Sequence, residues 1–172
     1  MKTLESKISI LLTGAFIIAS SLQTVGQTIL PEFTVTAASY KYLNAVNPEE
    51  AAQTVAILEK YAAAYDVTEA EFYEEEHDKY FVSFVIPEGK ILAAYDAHGN
   101  IIRTAEKFRD IALPTHIRQA VNNRFPQWEI SSTIYLVNYY YNKDVTKKIY
   151  KLLLKNGDKL MRIKMSDEKE FF

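Results

Sequence analysis

The chain has 172 residues, 48% of them hydrophobic and 24% charged, a composition that excludes bulk disorder and suits one good core or two small ones. Its net charge of −2 leaves no basic excess to drive binding along a phosphate backbone, so nucleic acid is not the expected partner. With no cysteine, disulfides, zinc–thiolate sites and thiol catalysis are excluded as well, while 12 tyrosines against a single tryptophan bias the aromatic content towards amphipathic rings.

In chain order, Lys2 and Lys7 precede an apolar run from Ile8 to Ala19, followed by the small and polar residues Ser20 to Thr28. These have the order of the three regions of a secretory signal peptide, and the run is shorter than the roughly 20 apolar residues a membrane span needs. Thr24 and Gly26 offer small residues at the −3 and −1 positions, so cleavage is expected near Gly26, giving a periplasmic or secreted chain with no transmembrane span. Residues 27–45, interrupted by Pro31, read as an irregular or edge segment.

A helix is predicted from about residue 48 to residue 65. Asn47 suits the N-cap, Pro48 the first helical position, and Glu50 the capping-box spacing, ahead of an apolar stripe through Ala51, Ala52, Val55, Leu58, Ala62 and Tyr65. Three strands are expected next: Glu69 to Asp78, Tyr80 to Pro87 and Lys90 to Asp96, separated by turn residues. A second helix starts at Leu113-Pro114 and runs to about Arg124, with Ile117, Ala120, Val121 and Phe125 on one face and Pro126 as its stop. Trp128 to Tyr141, Lys148 to Lys155 and Lys159 to Met165 then form a second meander, with Asn156-Gly157 as a two-residue hairpin signal.

Helix followed by three strands thus occurs twice, and the tracts from Tyr80 and from Tyr150 align at an offset of about 70 residues, as a weak tandem repeat would. The expected fold class is α+β, two helix-plus-antiparallel-meander units over 46–110 and 111–172, each with its helix on one face of its sheet. Whether the two units share a continuous sheet is left open by the pattern.

The segment ILAAYDAHGNIIRTAEKF, the helix LPTHIRQAVNNRFPQW and the closing hairpin YKLLLKNGDKLMRIKM, behind a signal peptide, resemble the PepSY-like, β-lactamase-inhibitor-protein-like secreted domains of Gram-negative bacteria. The resemblance covers roughly residues 46–172. It implies a small non-catalytic module that binds or inhibits proteins or serves as an envelope accessory, and it carries over no catalytic residue. An envelope structural protein is one alternative. A nicotinate-nucleotide adenylyltransferase is another: Ile130-Ser131-Ser132-Thr133 reproduces four letters of that family's late phosphate-binding motif, but Leu136 stands where its arginine belongs and its His-x-Gly-His motif is missing.

No metal or cofactor is expected. Glu74-Glu75-Glu76-His77-Asp78 lacks the oxygen spacing of a calcium loop and the converging ligands of a zinc site, and His77, His98 and His116 read as solvent-facing. The candidate site is a sheet face. If Trp128, Ile130, Ile134 and Leu136 lie under the helix, alternation turns Tyr135, Val137, Tyr139 and Tyr141 outward. Tyr150, Leu152 and Leu154, with Met161, Ile163 and Met165, then suit the core, leaving Lys151, Leu153, Lys155, Arg162 and Lys164 outward beside the tyrosines. Tyrosine interleaved with lysine and arginine is the mixture of a protein recognition surface, and on an acidic chain a basic stripe favours a protein partner with an acidic surface.

Overall fold

The computed structural model describes residues 36–46, 51–143 and 145–172. The expected signal peptide and the Asn47-Pro48-Glu50 helix start lie outside the described residues. Helix α1 spans Ala37–Val46, where an irregular segment was expected over 27–45. Thr36 starts it: its hydroxyl oxygen accepts the Ser39 N–H at 3.1 Å, satisfying one of the donors a helix start leaves open. Ala38, Tyr42 and Val46, four residues apart, are its buried stripe. Helix α2 follows at Gln53–Ala64 and buries Val55, Leu58, Glu59, Ala62 and Ala63.

The first strand expected, over Glu69 to Asp78, does not form. Val67–Glu69 is a single turn of 3₁₀ helix, with the Asp66 carboxylate accepting the Thr68 N–H at 2.9 Å, and residues 70–78 are turns and bends. A strand there would set three successive glutamates on alternating faces and leave only Ala70 and Phe72 on one face and Tyr73 on the other to bury, so the tract gains little from joining the sheet. The meander is instead β1 Lys79–Ile86, β2 Gly89–Asp96 and β3 Ile101–Arg109, followed by α3 at Thr115–Arg124 and then β4 Glu129–Tyr140, β5 Val145–Asn156 and β6 Lys159–Ser166. All six lie side by side in chain order in one sheet, every neighbouring pair antiparallel. The protein is therefore α+β, and β3 pairing with β4 makes the sheet continuous.

The final hairpin pairs Asn156 with Lys159, so its two-residue loop is Gly157-Asp158, one position later than the Asn-Gly signal suggested. Gly157 has φ 58°, the positive angle required at the first central position when the second stays negative, and only glycine adopts it freely. Between β3 and α3 the chain is pinned to β4: the Asp110 N–H donates to the Thr133 carbonyl at 2.9 Å, and the Thr133 N–H donates to the Asp110 carboxylate at 3.0 Å.

One core lies between the sheet and the helices. Tyr42 and Val46 of α1, Val55 and Leu58 of α2 and Ile117 and Val121 of α3 meet Ile91, Tyr95, Phe108, Tyr135, Val137, Tyr139, Leu152, Leu154 and Met165 from one face of the sheet. Burying large apolar side chains at about 25 cal/mol per Å² is what holds these layers together. The opposite face of the sheet carries no helix among the described residues. No helix among them is long and apolar enough to cross a membrane.

Candidate binding surface

The tyrosines expected to face outward face the helices. Tyr135 is 3% exposed and stacked on Tyr150, ring centroids 4.7 Å apart, and Tyr139 is 1% exposed with its ring edge-on to Tyr42 at 5.2 Å. Tyr141 is half-buried against α1, where the Lys41 ammonium sits 4.3 Å from its ring centre. The cause is a bulge in β4: the pairing with β5 steps from Ile130–Leu154 to Ser132–Leu153, leaving Ser131 as an extra residue. Trp128 and Ile130, before it, pack on the core as alternation requires; after it the phase is reversed, so Thr133, Tyr135, Val137 and Tyr139 are buried while Ile134 and Leu136 turn to the open face. Tyr135, Tyr139 and Tyr141 therefore do not join the expected recognition face.

The cations do. Lys151, Lys155, Arg162 and Lys164 are exposed on the open face, with Tyr150, Leu152, Leu154 and Met165 buried beneath them. Register extends this surface across the sheet. Lys151 stands opposite Ile134 on one side and Lys164 on the other, Lys107 opposite Leu136 and Lys90, and Arg109 opposite Ile134. Arg103 and Lys147 occupy the same face, and the exposed carboxylates there are confined to strand ends, at Glu129 opposite Lys155. A shallow groove of about 280 Å³ runs between β4, β5 and β6, lined by Ser132, Ile134, Lys151, Leu153, Arg162 and Lys164. No ion pair joins Lys151, Arg162 or Lys164 to a described residue, and like charges directly opposed across strands, as Lys151 and Lys164 are, repel. The groove is a cationic trough with an apolar floor. Sequence reading missed its β3 side, although the alternation in IIRTAEKFR already puts Arg103, Ala105, Lys107 and Arg109 on one parity.

The most unusual electrostatics lie in the core. Glu106 on β3 accepts the Tyr42 hydroxyl at 2.9 Å and the Thr104 hydroxyl at 2.6 Å on the same carboxyl oxygen. Glu59 on α2 is fully buried beside it. Burial pushes the Glu59 carboxyl up to about 10, with the nearby charge of Glu106 adding to the rise and Lys148 opposing it. Burial also raises Glu106, against the lowering by its Thr104 and Tyr42 hydrogen bonds. A carboxyl pair of this kind can hold and exchange protons, but the groove on the open face lies across the sheet from it. Nearer the surface, Asp167 gathers Lys148 at 3.7 Å, His116 at 3.7 Å and the Tyr150 hydroxyl at 3.1 Å, tying α3 and β5 to the turn after β6.

His77 pairs with Glu74 at 3.4 Å in an exposed turn, and His98 is exposed in the turn between β2 and β3. His116 is partly covered, in contact with Asp167 as well as with solvent. No group of three or more potential metal ligands converges among the described residues. No protein-family model, no curated protein and no solved structure matches this chain, so the basic open face of the sheet stands on its own geometry.

Proposed function

We propose that this chain is an exported, non-enzymatic binding module of the PepSY-like, β-lactamase-inhibitor-protein-like kind, acting in the periplasm or outside the cell, and that its partner is a protein with an acidic surface. The carrying observation is the cationic groove between β4, β5 and β6, where Lys151 opposes Lys164 and Arg162 lacks a described ion pair. An acidic side chain laid in that groove relieves the repulsion and buries the apolar floor of Ile134 and Leu153, so charge and area act together. The element order, two helices and three strands followed by one helix and three strands, is compatible with the two-unit reading, with all six strands in one sheet. The adenylyltransferase alternative is disfavoured: it needs a parallel nucleotide-binding sheet, and every strand pair here is antiparallel.

The test is retention of envelope proteins on the immobilised chain, compared with a Lys151→Glu/Lys164→Glu variant. A specific acidic protein held by the parent at moderate salt and weakened roughly tenfold or more by the double reversal is the expected result, the scale set by losing close opposite-charge pairs. Equal retention by both chains removes the basic groove as the site.

A further inference from the structure

The two edges of the sheet are finished differently. On β6, Lys159, Arg162 and Lys164 are exposed, and the chain doubles back along the strand: Phe171 bridges to Met165, and the Phe172 N–H donates to the Lys164 carbonyl at 3.0 Å. Charge and cover of this kind keep an edge from pairing with another chain. β1 has neither. Among the described residues its strand partner is β2 alone, in unbroken register from Lys79–Asp96 to Ile86–Gly89. It has no proline, glycine or bulge, and its one charge is the first residue, Lys79. Phe81 and Val85 on its open-face side are 66% and 69% exposed, and Val82, Phe84 and Ile86 on the core side are only half-buried.

The side chains along β1 are also self-complementary. Antiparallel pairing of two copies about Ser83 sets Val82 against Phe84, Phe81 against Val85 and Tyr80 against Ile86, each pair on a common face. Lys79 of one copy falls opposite Pro87 of the other and Asp78 opposite Glu88, so the charged residues lie beyond the apolar pairs and the match rests on Val82, Phe84, Phe81, Val85, Tyr80 and Ile86. Moving the axis to Val82 or Phe84 sets Phe81 or Val85 against Ser83 and breaks the match. We infer that β1 is a self-pairing edge through which two copies of this chain join in antiparallel register about Ser83, forming one sheet across a two-fold axis. The interface is isologous, the same strand from each copy, and therefore closes at two. It is independent of the basic groove, which lies at the β6 side of the sheet.

The absence of cysteine makes the register directly readable, because one introduced thiol is unique. Opposed residues of an antiparallel pair have Cα atoms about 4.5–5.5 Å apart, within disulfide reach, so Ser83→Cys meets its own copy. Phe81→Cys instead lies four residues, about 13 Å, from its counterpart and opposite position 85. The chain, purified as its expressing cells process it, is expected to sediment at twice the monomer mass. Ser83→Cys should cross-link under mild oxidation at least roughly tenfold faster than Phe81→Cys, and Phe81→Cys mixed with Val85→Cys as fast as Ser83→Cys. A parent chain of monomer mass well above micromolar concentration overturns the inference, and so does Phe81→Cys cross-linking as fast as Ser83→Cys.

Discussion

Glu59 occupies a position of α2 that an apolar side chain would fill, between the buried Val55 and the buried Ala62 and Ala63. Its carboxyl is held in the protonated form at neutral pH by burial, reinforced by Glu106. A carboxyl whose folded pKa lies above its unfolded value contributes stability that is fully present below the unfolded value, near 4.5, and is lost as pH rises through the folded value of about 10. Stability should therefore fall from mildly acidic towards alkaline pH, by at most about 1.4 kcal/mol per pH unit for each net proton released. Glu59→Gln keeps the shape and removes the titration, so its thermal midpoint should exceed the parent's at pH 8 to 9, with the gap closing near the unfolded carboxyl value. Parallel midpoint-against-pH curves for parent and variant would refute the assignment. Sequence alone did not place Glu59 in the core, because a charged residue in an amphipathic helix is read as solvated; what marks it is its four-residue spacing from Val55, on the stripe itself.

At the level of elements, legibility followed the strength of local pattern. α3 and strands β1, β2, β5 and β6 form close to where turn residues and alternation put them. α1 went unread because its stripe of Ala38, Tyr42 and Val46 is short and its cap is a threonine without the acidic third residue of a capping box. The candidate site was half legible: the parity of β5 and β6 gave Lys151, Lys155, Arg162 and Lys164, while the bulge at Ser131 reversed β4 and turned Tyr135 and Tyr139 inward. Alternation carries no memory of an inserted residue, and the Ser131-Ser132 pair is too weak a mark to reveal one. Two glycines separate strand packing from turn geometry. A Cβ on Gly89 would run into the Lys107 carbonyl and the Phe108 ring, the latter at 2.6 Å, whereas one on Gly157 meets nothing and only the positive φ resists it. Gly89→Ala should thus cost about 1–3 kcal/mol by overpacking. Gly157→Ala should cost about 1 kcal/mol through backbone strain. Denaturant midpoints at constant slope measure both, and a larger loss at Gly157 would contradict the tight β2–β3 contact.

Across the whole molecule, charge is sorted rather than mixed. The chain is net −2, yet the open face of the sheet presents Lys107, Lys151, Arg162 and Lys164 from β3 to the β6 edge, while Glu69, Glu71, Glu74, Glu75, Glu76 and Asp78 are exposed together in the segment leading into β1. Such segregation leaves a local positive potential that net charge conceals, extending about a Debye length, roughly 10 Å at 0.1 M salt, before solvent ions screen it. The protein should accordingly bind a cation-exchange surface at pH 7 and low salt, against the expectation from its overall sign, and elute as ionic strength shortens that reach. Lys151→Glu/Lys164→Glu should abolish retention at about 0.05 M salt, because it changes both opposed cations of the groove. Reversing two exposed lysines elsewhere, Lys60 in α2 and Lys169 after β6, changes the net charge by the same amount and should leave most of the retention intact. If both double variants lose retention equally, binding follows net charge and the open face holds no concentrated potential.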